Sequence, residues 1–521
     1  MLDIVVKGGT VIDGTGAPWF KADVGIVGDS VACIAKNIEG DAITVINAAG
    51  KIVSPGFIDI HTHSDTVIIR FPERLPKVSQ GVTTEVFSNC GLGVAPVTER
   101  GRKELLEYNR EEYKHITFDW LSVKEFLARI PASGVNVAYL VPHGALRVSV
   151  MGYQARPATL PEIKDMCRLL EEGMADGAYG LSTGLAYVPM SSADTQEVIE
   201  LSKIASKYGG FLASHMRNYR EKVRESVQEM IEVAQKADLP VQISHYQAYG
   251  EYNWGRGQEL IEWLESAREQ GFDLTFDSYP YDFSAGFLRN TIPGKYHAGG
   301  SQGLIACLKD PQVRQALRRE IGTLTTYDLN KLVVASVSNS ALQDLVGKSL
   351  PQIAAMRKQE IIDVLCELLI HDLDIRHANF QGSAEDTKIL ATSRLQMVGS
   401  DSIDVLPGQG KPHPRLYGTF TRFLKLYVRD DPVLTWEEAI RKMTGLPAWR
   451  IGFKRRGLLK EGFAADVVVI DPEKVADRAT IERPEDLSTG IDWVIVNGKV
   501  EIADGIFTGV LGGRVLKKGV D

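Results

Sequence analysis

Residues 56–63 read Gly-Phe-Ile-Asp-Ile-His-Thr-His and follow the apolar run Lys51-Ile-Val-Ser-Pro55. Successive side chains of a strand point to opposite faces, so Asp59, His61 and His63 share one face of a short buried strand. At the carboxyl end of a strand in an α/β barrel, two such imidazoles can hold a metal ion above the barrel mouth. A satisfied pair of histidines in a turn is the alternative, because two ligands do not close a metal site. The remaining candidate ligands of the chain therefore decide between the two.

The composition is that of an ordinary globular enzyme, with 521 residues, of which 44% are hydrophobic and 24% are charged. A formal net charge of -8 gives no reason to expect a nucleic-acid partner. The amino terminus lacks a signal-peptide pattern, and no run approaches about 20 apolar residues, so we expect a cytoplasmic protein without a membrane partner. The five cysteines include no Cys-x-x-Cys pair, which argues against a disulfide framework and a zinc ribbon.

Between residue 51 and about residue 450, strand-like runs alternate with amphipathic helical patterns, four of which are clear. This alternation is typical of an α/β fold and predicts a (β/α)8 TIM barrel. The interval 282–395 carries helical patterns before the eighth strand and predicts a lid-like insertion over the barrel mouth. The strand-like runs lie at 56–63, 81–90, 135–141, 177–182, 210–215, 240–245, 273–279 and 397–401, and the clear helices at 160–176, 194–208, 223–237 and 258–270.

Both ends of the chain are rich in short strand patterns that glycines interrupt. Two β-rich ends that flank a long α/β segment suggest that the termini pair with each other. We therefore predict one small β-sandwich-like domain from residues 1–50 and 455–521, with the metal-dependent barrel, residues 51–454, inserted in it.

Side chains of metal-ligand type recur at the carboxyl ends of the predicted barrel strands. Each has an ordinary interpretation alone, but together they would require an unrelated coincidence on five strands. Zinc accepts imidazole, thiolate and carboxylate, and six ligands are too many for one tetrahedral ion, so two metals that share a bridging group would use them all. We hypothesise that Cys90, as thiolate, bridges the pair or anchors the tighter site. The six residues are His61, His63, Cys90, His215, His245 and Asp401.

The assembled motifs resemble the amidohydrolase superfamily, and more narrowly the N-acyl-D-amino-acid deacylase (D-aminoacylase) family, nearly end to end. Other members such as hydantoinases use a carbamylated lysine on strand 4 as the bridge, whereas strand 4 here, Ala178-Tyr-Gly-Leu-Ser-Thr, has no lysine and Cys90 is present. The resemblance rests on Gly56 to His63, Asn89-Cys-Gly, Gly180-Leu-Ser-Thr-Gly-Leu-Ala-Tyr, Ser214-His-Met-Arg, Ile243-Ser-His, Tyr279-Pro-Tyr, Gly399-Ser-Asp and His413-Pro-Arg.

The resemblance implies a zinc-dependent hydrolase that cleaves the amide bond of N-acyl-D-amino acids or related D-aminoacyl amides. It implies that Cys90, His215 and His245 hold a tight zinc. His61 and His63 would hold a second, weaker zinc together with Asp401. Metal-activated water would attack the amide carbonyl, with Asp401 as general base and then as acid toward the leaving nitrogen.

The substrate-binding pattern departs from that of the family. Where the family has Ser-His-His-Lys, with a lysine that meets the substrate carboxylate, this chain has Ser244-His-Tyr-Gln247. Ala285 stands where the family can place a serine, and Ser402 stands where it usually has glycine. An altered substrate is therefore a serious alternative.

Arg415 remains as a cation near the predicted site. It would either clamp a carboxylate in bidentate fashion or serve as a structural ion-pair partner. Tyr187 and Tyr279 are candidate hydroxyl donors, and Gln247 is the fourth predicted substrate contact. His297, His371 and His377 lie in the insertion without ligand spacing and are assigned no role.

Three functions compete on this evidence. The first is hydrolysis of N-acyl-D-amino acids, with a small-molecule amide as the partner. The second is hydrolysis of a cyclic amide or imide, or of a neutral N-acyl compound without a free carboxylate. The third is a catalytically silent barrel kept for assembly or binding, which predicts eroded ligands, whereas all six are present. A homo-oligomer is compatible with the sequence.

Overall fold

The computed structural model describes residues 1–321, 327–404 and 411–521, and at its centre parallel strands form a ring in sequence order. The ring is drawn together at the mouth, where Thr62–His63 pairs in parallel with Ser402–Ile403. Each strand pairs with the strand of the next βα unit in the chain, as in a TIM barrel, so the predicted barrel is confirmed. The eight strands are Phe57–Asp59, Val82–Phe87, Asn136–Pro142, Gly180–Gly184, Phe211–His215, Val241–Ile243, Leu274–Ser278 and Gln396–Val398.

Amphipathic helices cover the outside of the barrel. Val223–Ala237 shows the pattern, because Val227, Met230 and Val233 are buried while Arg224, Glu225 and Lys236 are exposed. The four helices that the sequence predicts are found at Leu160–Ala175, Thr195–Lys207, Val223–Ala237 and Gly257–Glu269; further α-helices are Leu75–Val78, Glu99–Tyr108, Arg110–Tyr113, Val123–Leu127, His143–Met151, Arg415–Leu424, Trp436–Met443 and Gly445–Ile451. Among the described residues, none of these helices has the length and apolar character that crossing a bilayer requires.

The segment between barrel strands 7 and 8 has a hydrophobic core of its own. The sequence pattern predicts helices over residues 302–321 and 351–372, where four are found, but not Ala384–Thr392. It also does not predict the small antiparallel sheet, because the strands are four or five residues long and their partners lie far apart in the chain. Its function as a lid stays a prediction. The strands are Ser284–Phe287, Leu332–Ser336 and Arg376–Asn379, and the helices are Gly300–Lys309, Pro311–Glu320, Leu350–Arg357, Ile361–His371 and Ala384–Thr392.

The two termini build one sheet, as the sequence predicts. Ile52–Pro55 pairs antiparallel with Val467–Ile470, and Gly56 alone separates the former from the first barrel strand. The sheet thus anchors the strand that carries the two histidines of the mouth. The domain bounds themselves stay a prediction. The strands are Leu2–Val11, Phe20–Val27, Ser30–Ala35, Ala42–Asn47, Ile52–Pro55, Val467–Ile470, Ile491–Val496, Lys499–Ala503 and Ile506–Phe507.

Candidate metal centre

Four of the six predicted ligands form a compact cluster at the barrel mouth. Donor atoms of His61, Cys90, His245 and Asp401 lie within 4.8 Å of one another, and all four residues are buried. Cys90 Sγ is 3.3 Å from His61 Nε2 and 3.6 Å from His245 Nε2. A thiol, imidazoles and a carboxylate in so small a volume are the donor set that zinc accepts, so the residues fit a zinc centre.

The remaining two predicted ligands flank this cluster on opposite sides. His215 Nδ1 lies 2.8 Å from His245 Nε2 and 4.0 Å from Cys90 Sγ. His63 Nε2 lies 3.1 Å from Asp401 Oδ1, which is also 3.3 Å from His61 Nε2. His215 thus lies next to Cys90 and His245, and His63 lies next to Asp401. The tight and the weak site that the resemblance implies stay a prediction.

Three of the six residues have a left-handed backbone, with φ of 55° at Cys90, 35° at His245 and 48° at Asp401. Such values cost energy in residues other than glycine and persist where the surroundings impose them, which is common at functional sites. The turn at Cys90 also needs a close neighbour without a side chain, since a Cβ on Gly184 would lie 2.3 Å from the Cys90 carbonyl oxygen. The mouth is therefore held in a strained conformation.

Asp277, at the end of barrel strand 7, organises the centre, although the sequence analysis assigned it no role. Its Oδ1 lies 3.0 Å from His61 Nδ1 and accepts the backbone N–H of His245 at 2.9 Å, and its Oδ2 accepts from Gln242. A carboxylate on the outer nitrogen of a ligand imidazole fixes the tautomer and the ring orientation. The signal was present, because Asp277 ends a barrel strand as the predicted ligands do.

Lys77 is a second buried group behind the mouth. Its ammonium donates to Asp59 Oδ2 at 2.6 Å and to the hydroxyls of Ser400 and Ser402 at 2.7 Å each. Asp59 in turn accepts the backbone N–H of Ser400 at 2.9 Å. The serine at 402, where the family usually has glycine, thus completes the three hydrogen bonds of a fully buried lysine and holds the turn that carries Asp401.

The electrostatics of the cluster favour a bound cation. Burial by itself would raise the pKa of the Cys90 thiol, but the adjacent His61 charge and hydrogen bonds from His215 and His245 hold that pKa well below its usual range. Burial likewise opposes ionisation of Asp401, yet the Arg415 guanidinium holds the carboxyl pKa well below normal. Burial also lowers the pKa of His215 to about 4, which leaves a neutral imidazole able to bind metal.

A small cavity lies over the cluster and contains two of the predicted substrate contacts, Tyr187 and Tyr279. The ring of Tyr187 lies 4.2 Å from that of His215, centroid to centroid. The hydroxyl of Tyr279 is 3.4 Å from that of Tyr249, which also lines the cavity. The two tyrosines therefore face the space where a substrate would meet the metal.

The other two predicted substrate contacts, Arg415 and Gln247, differ in their hydrogen-bond partners. Arg415 is fully buried, with one guanidinium nitrogen 2.8 Å from Asp401 Oδ2 and its Cζ 4.8 Å from the Tyr279 ring centroid. Within the described chain, its Nε and the other Nη have no hydrogen-bond partner. Gln247 is also buried, but its amide nitrogen faces the Tyr281 carbonyl oxygen at 3.5 Å. Its role as a substrate contact stays a prediction.

Ala285, which stands where the family can place a serine, has a serine as its neighbour in the chain. Ser284 and Ala285 both line the cavity, and the Ser284 hydroxyl is hydrogen bonded to Tyr249. The loss of a polar contact at Ala285 stays a prediction, and the neighbouring Ser284 supplies a hydroxyl to the same cavity.

A second cavity adjoins the cluster at His63 and Tyr187 and is mostly apolar. Its charged residues are Asp65, Glu112 and Arg289, and the Arg289 guanidinium is bound by Asp374 and by Asn109 Oδ1. An anionic group entering this cavity would meet two carboxylates and no free cation on its described walls. The apolar lining comes from Leu92, Leu105, Ala145, Val148, Met190 and Phe287.

Comparisons with known proteins agree with this geometry. A model of the amidohydrolase family matches residues 44–502. A D-aminoacylase of Alcaligenes xylosoxydans xylosoxydans is 36% identical over 516 residues, which are 99% of this chain and 98% of that protein.

Two solved structures are similar along the whole chain. A D-aminoacylase with a binuclear metal centre superposes with a TM-score of 0.83 at 35% identity, covering 99% of this chain and 100% of that one. N-acyl-D-glutamate deacylase from Bordetella bronchiseptica, complexed with zinc and a phosphonate mimic of the tetrahedral intermediate, gives 0.82 at 32% identity, with 99% of each chain covered. The chain therefore belongs to the amidohydrolase family, in its D-aminoacylase branch.

Proposed function

We propose that the protein is a zinc-dependent hydrolase that cleaves the amide bond of N-acyl-D-amino acids. The observation that supports this most directly is the cluster of a thiol, imidazoles and Asp401 below a cavity lined by tyrosines. A D-aminoacylase and an N-acyl-D-glutamate deacylase are similar to this chain over nearly its whole length, which supports the same class of reaction.

The ligands divide into a tight and a weak zinc site. Cys90, His215 and His245 would hold the tight zinc, since a thiolate and two imidazoles suit that ion. His61 and His63 would hold the weaker one, with Asp401 between the two groups. Zinc supplies two things when bound, a lowered pKa for a water and polarisation of the amide carbonyl.

Asp401 is the group that moves the proton. It accepts a proton from the attacking water and delivers it to the leaving nitrogen, so one carboxylate serves as base and then as acid. Arg415 and the two histidines beside it keep the carboxylate ionised and oriented before the reaction.

Gln247 stands where the family has the lysine that meets the substrate carboxylate, so Arg415 would hold this carboxylate instead. Its free Nε and Nη can donate two charge-assisted hydrogen bonds, and its Cζ lies 4.8 Å from the centroid of the Tyr279 ring. The apolar second cavity would then receive the acyl group. A neutral or cyclic amide is the alternative substrate, since one guanidinium nitrogen of Arg415 is already paired with Asp401.

Hydrolysis of paired N-acetyl-D- and N-acetyl-L-amino acids, with and without added zinc, tests the proposal. We expect zinc-dependent turnover that is confined to the D series. Turnover of N-acetyl-D-leucinamide or of hydantoins, without turnover of the free acids, would replace this substrate class by neutral or cyclic amides. A cytoplasmic location and a homo-oligomeric state are further expectations from the sequence alone.

A further inference from the structure

His377, in the insertion, lies at the metal-site cavity and has no structural task there. It is 1% exposed and lines the cavity that also contains Asp401, Tyr187 and Tyr279. Apart from a weak approach to the backbone of the adjacent Ala378, neither ring nitrogen has a hydrogen-bond partner among the described residues. Buried polar atoms without partners are rare in folded proteins, and each one requires an explanation.

The small sheet of the insertion aims this side chain at the cavity. His377 is directly opposite Gly286, and Asn379 is directly opposite Ser284, in an antiparallel pair. Opposite residues, and residues two apart, share one face of a sheet, so His377 and Asn379 face the cavity together with Ser284. The ring of Tyr327 meets the imidazole edge-on, with 5.3 Å between the centroids. The orientation of the ring is therefore set by the sheet and by packing.

Several other polar groups of the same cavity have partners in the protein. The hydroxyls of Tyr249 and Tyr279 are hydrogen bonded to each other, and Ser284 is hydrogen bonded to Tyr249. Asn379 Oδ1 accepts a hydrogen bond from Gln381. His377 is thus left with an unused donor and an unused acceptor at a point beside the metal cluster.

A second buried histidine of the insertion shows what a structural role looks like. His297 is 0% exposed, and both of its ring nitrogens are engaged, one with the Tyr108 hydroxyl at 2.7 Å and the other with the Ile292 carbonyl oxygen at 3.1 Å. Both imidazoles are buried in the same segment, yet only His297 is satisfied by the protein. This difference in hydrogen bonding indicates that the partner of His377 is a molecule that binds in the cavity, such as the substrate.

We propose that His377 is a substrate-contacting specificity residue, whose ring nitrogens hydrogen bond a polar group on the amino-acid part of the substrate. This inference rests on the proposed function and adds to it. The polar group is either the α-carboxylate, which has lost its lysine to Gln247, or a side-chain amide or hydroxyl. A carboxylate would accept a hydrogen bond from the imidazole N–H, whereas an amide or hydroxyl could accept from that N–H or donate to the other ring nitrogen. An apolar group of the same shape would leave both ring nitrogens unpaired at a cost.

The test uses His377→Leu and His377→Gln, which are similar in size and differ in hydrogen-bonding capacity. N-acetyl-D-asparagine against N-acetyl-D-leucine reports a side-chain contact, and N-acetyl-D-leucine against N-acetyl-D-leucinamide reports a carboxylate contact. We expect His377→Leu to lower one of these two ratios of kcat/KM by about tenfold. His377→Gln should restore part of that ratio.

Stability separates this role from a structural one. Because His377→Leu removes unpaired buried polar atoms, we expect its Tm to equal or exceed that of the unmodified protein, whereas His297→Leu should lower Tm and leave both ratios unchanged. Both ratios within about twofold of the unmodified protein in folded His377→Leu, or a Tm loss matching that of His297→Leu, would overturn the inference. If the unmodified protein hydrolyses none of the substrates, the proposed function fails instead.

Discussion

Replacing Arg415 by Met should remove the anchor of the substrate carboxylate. Two of its nitrogens, Nε and one Nη, are buried without partners in the described structure, so a bound carboxylate can accept a hydrogen bond from each. Hydrogen bonds to charged groups contribute about 1.5–3 kcal/mol each, so two contribute at least about 3 kcal/mol. At about 1.4 kcal/mol per tenfold change in rate, this predicts a loss of about a hundredfold in kcat/KM.

Two substrates separate this effect from the ion pair with Asp401. Arg415→Met disturbs Asp401 whichever substrate is bound, but only N-acetyl-D-leucine has the carboxylate that N-acetyl-D-leucinamide lacks. We therefore expect the ratio of kcat/KM for acid over amide to fall by about a hundredfold. Arg450→Met is the control, because Arg450 is a buried arginine paired with Asp273 at the start of barrel strand 7 and should leave the ratio unchanged. Equal losses for both substrates in Arg415→Met would refute the clamp and leave Arg415 as a structural partner of Asp401.

Four further results are expected. Cys90→Ala should abolish tight zinc binding, since it removes the thiolate from the predicted tight site; one tightly bound zinc in the purified variant would contradict this. Asp401→Ala should retain the tight zinc while kcat falls by about 10²–10⁴-fold, as for loss of a general base, and near-normal kcat would disprove its role. N-butyryl-D-leucine should have a higher kcat/KM than N-succinyl-D-leucine, because the second cavity, which would receive the acyl group, has mostly apolar walls and the carboxylates of Asp65 and Glu112. Glu112→Gln should narrow the difference in kcat/KM between the two substrates. An unchanged difference would mean that the acyl group binds elsewhere. Burial lowers the pKa of His297 from its usual 6.5 to about 4, so the unfolded chain binds the proton more readily between these values. The stability that this histidine contributes is present above pH 6.5 and is lost as the pH falls toward 4, by about 3 kcal/mol at most, and His297→Leu should flatten that part of a urea-unfolding profile.

The parts of the fold that follow from local patterns could be predicted from the sequence. The eight strands and the four amphipathic helices are visible as alternating and helical periodicities, and the six ligands stand at strand ends, where the barrel topology brings them together. The sheet of the insertion could not be predicted in this way. Arg376–Asn379 is four residues long and its partner Ser284–Phe287 is remote in sequence, so neither shows a pattern of its own.

The residues that the sequence analysis missed are those whose role depends on a contact across the structure. Asp277 and Lys77 act through hydrogen bonds to residues on other strands, and only three-dimensional proximity shows these bonds. His377 has no ligand spacing, because it reaches the cavity from the insertion rather than from a barrel strand. Which of Ser284 and Ala285 shares a face of the sheet with His377 depends on the strand register, because a shift of one residue exchanges the two faces.

Stepwise addition of zinc to the metal-free protein, with bound zinc and hydrolysis of N-acetyl-D-leucine followed together, tests the central claim most directly. A metal centre at Cys90, His215 and His245 predicts negligible turnover without metal and turnover that rises as the first equivalent binds. Full turnover in metal-free protein, or tight zinc binding without any hydrolysis of D or L substrates, would contradict the proposal that this barrel is a zinc-dependent deacylase.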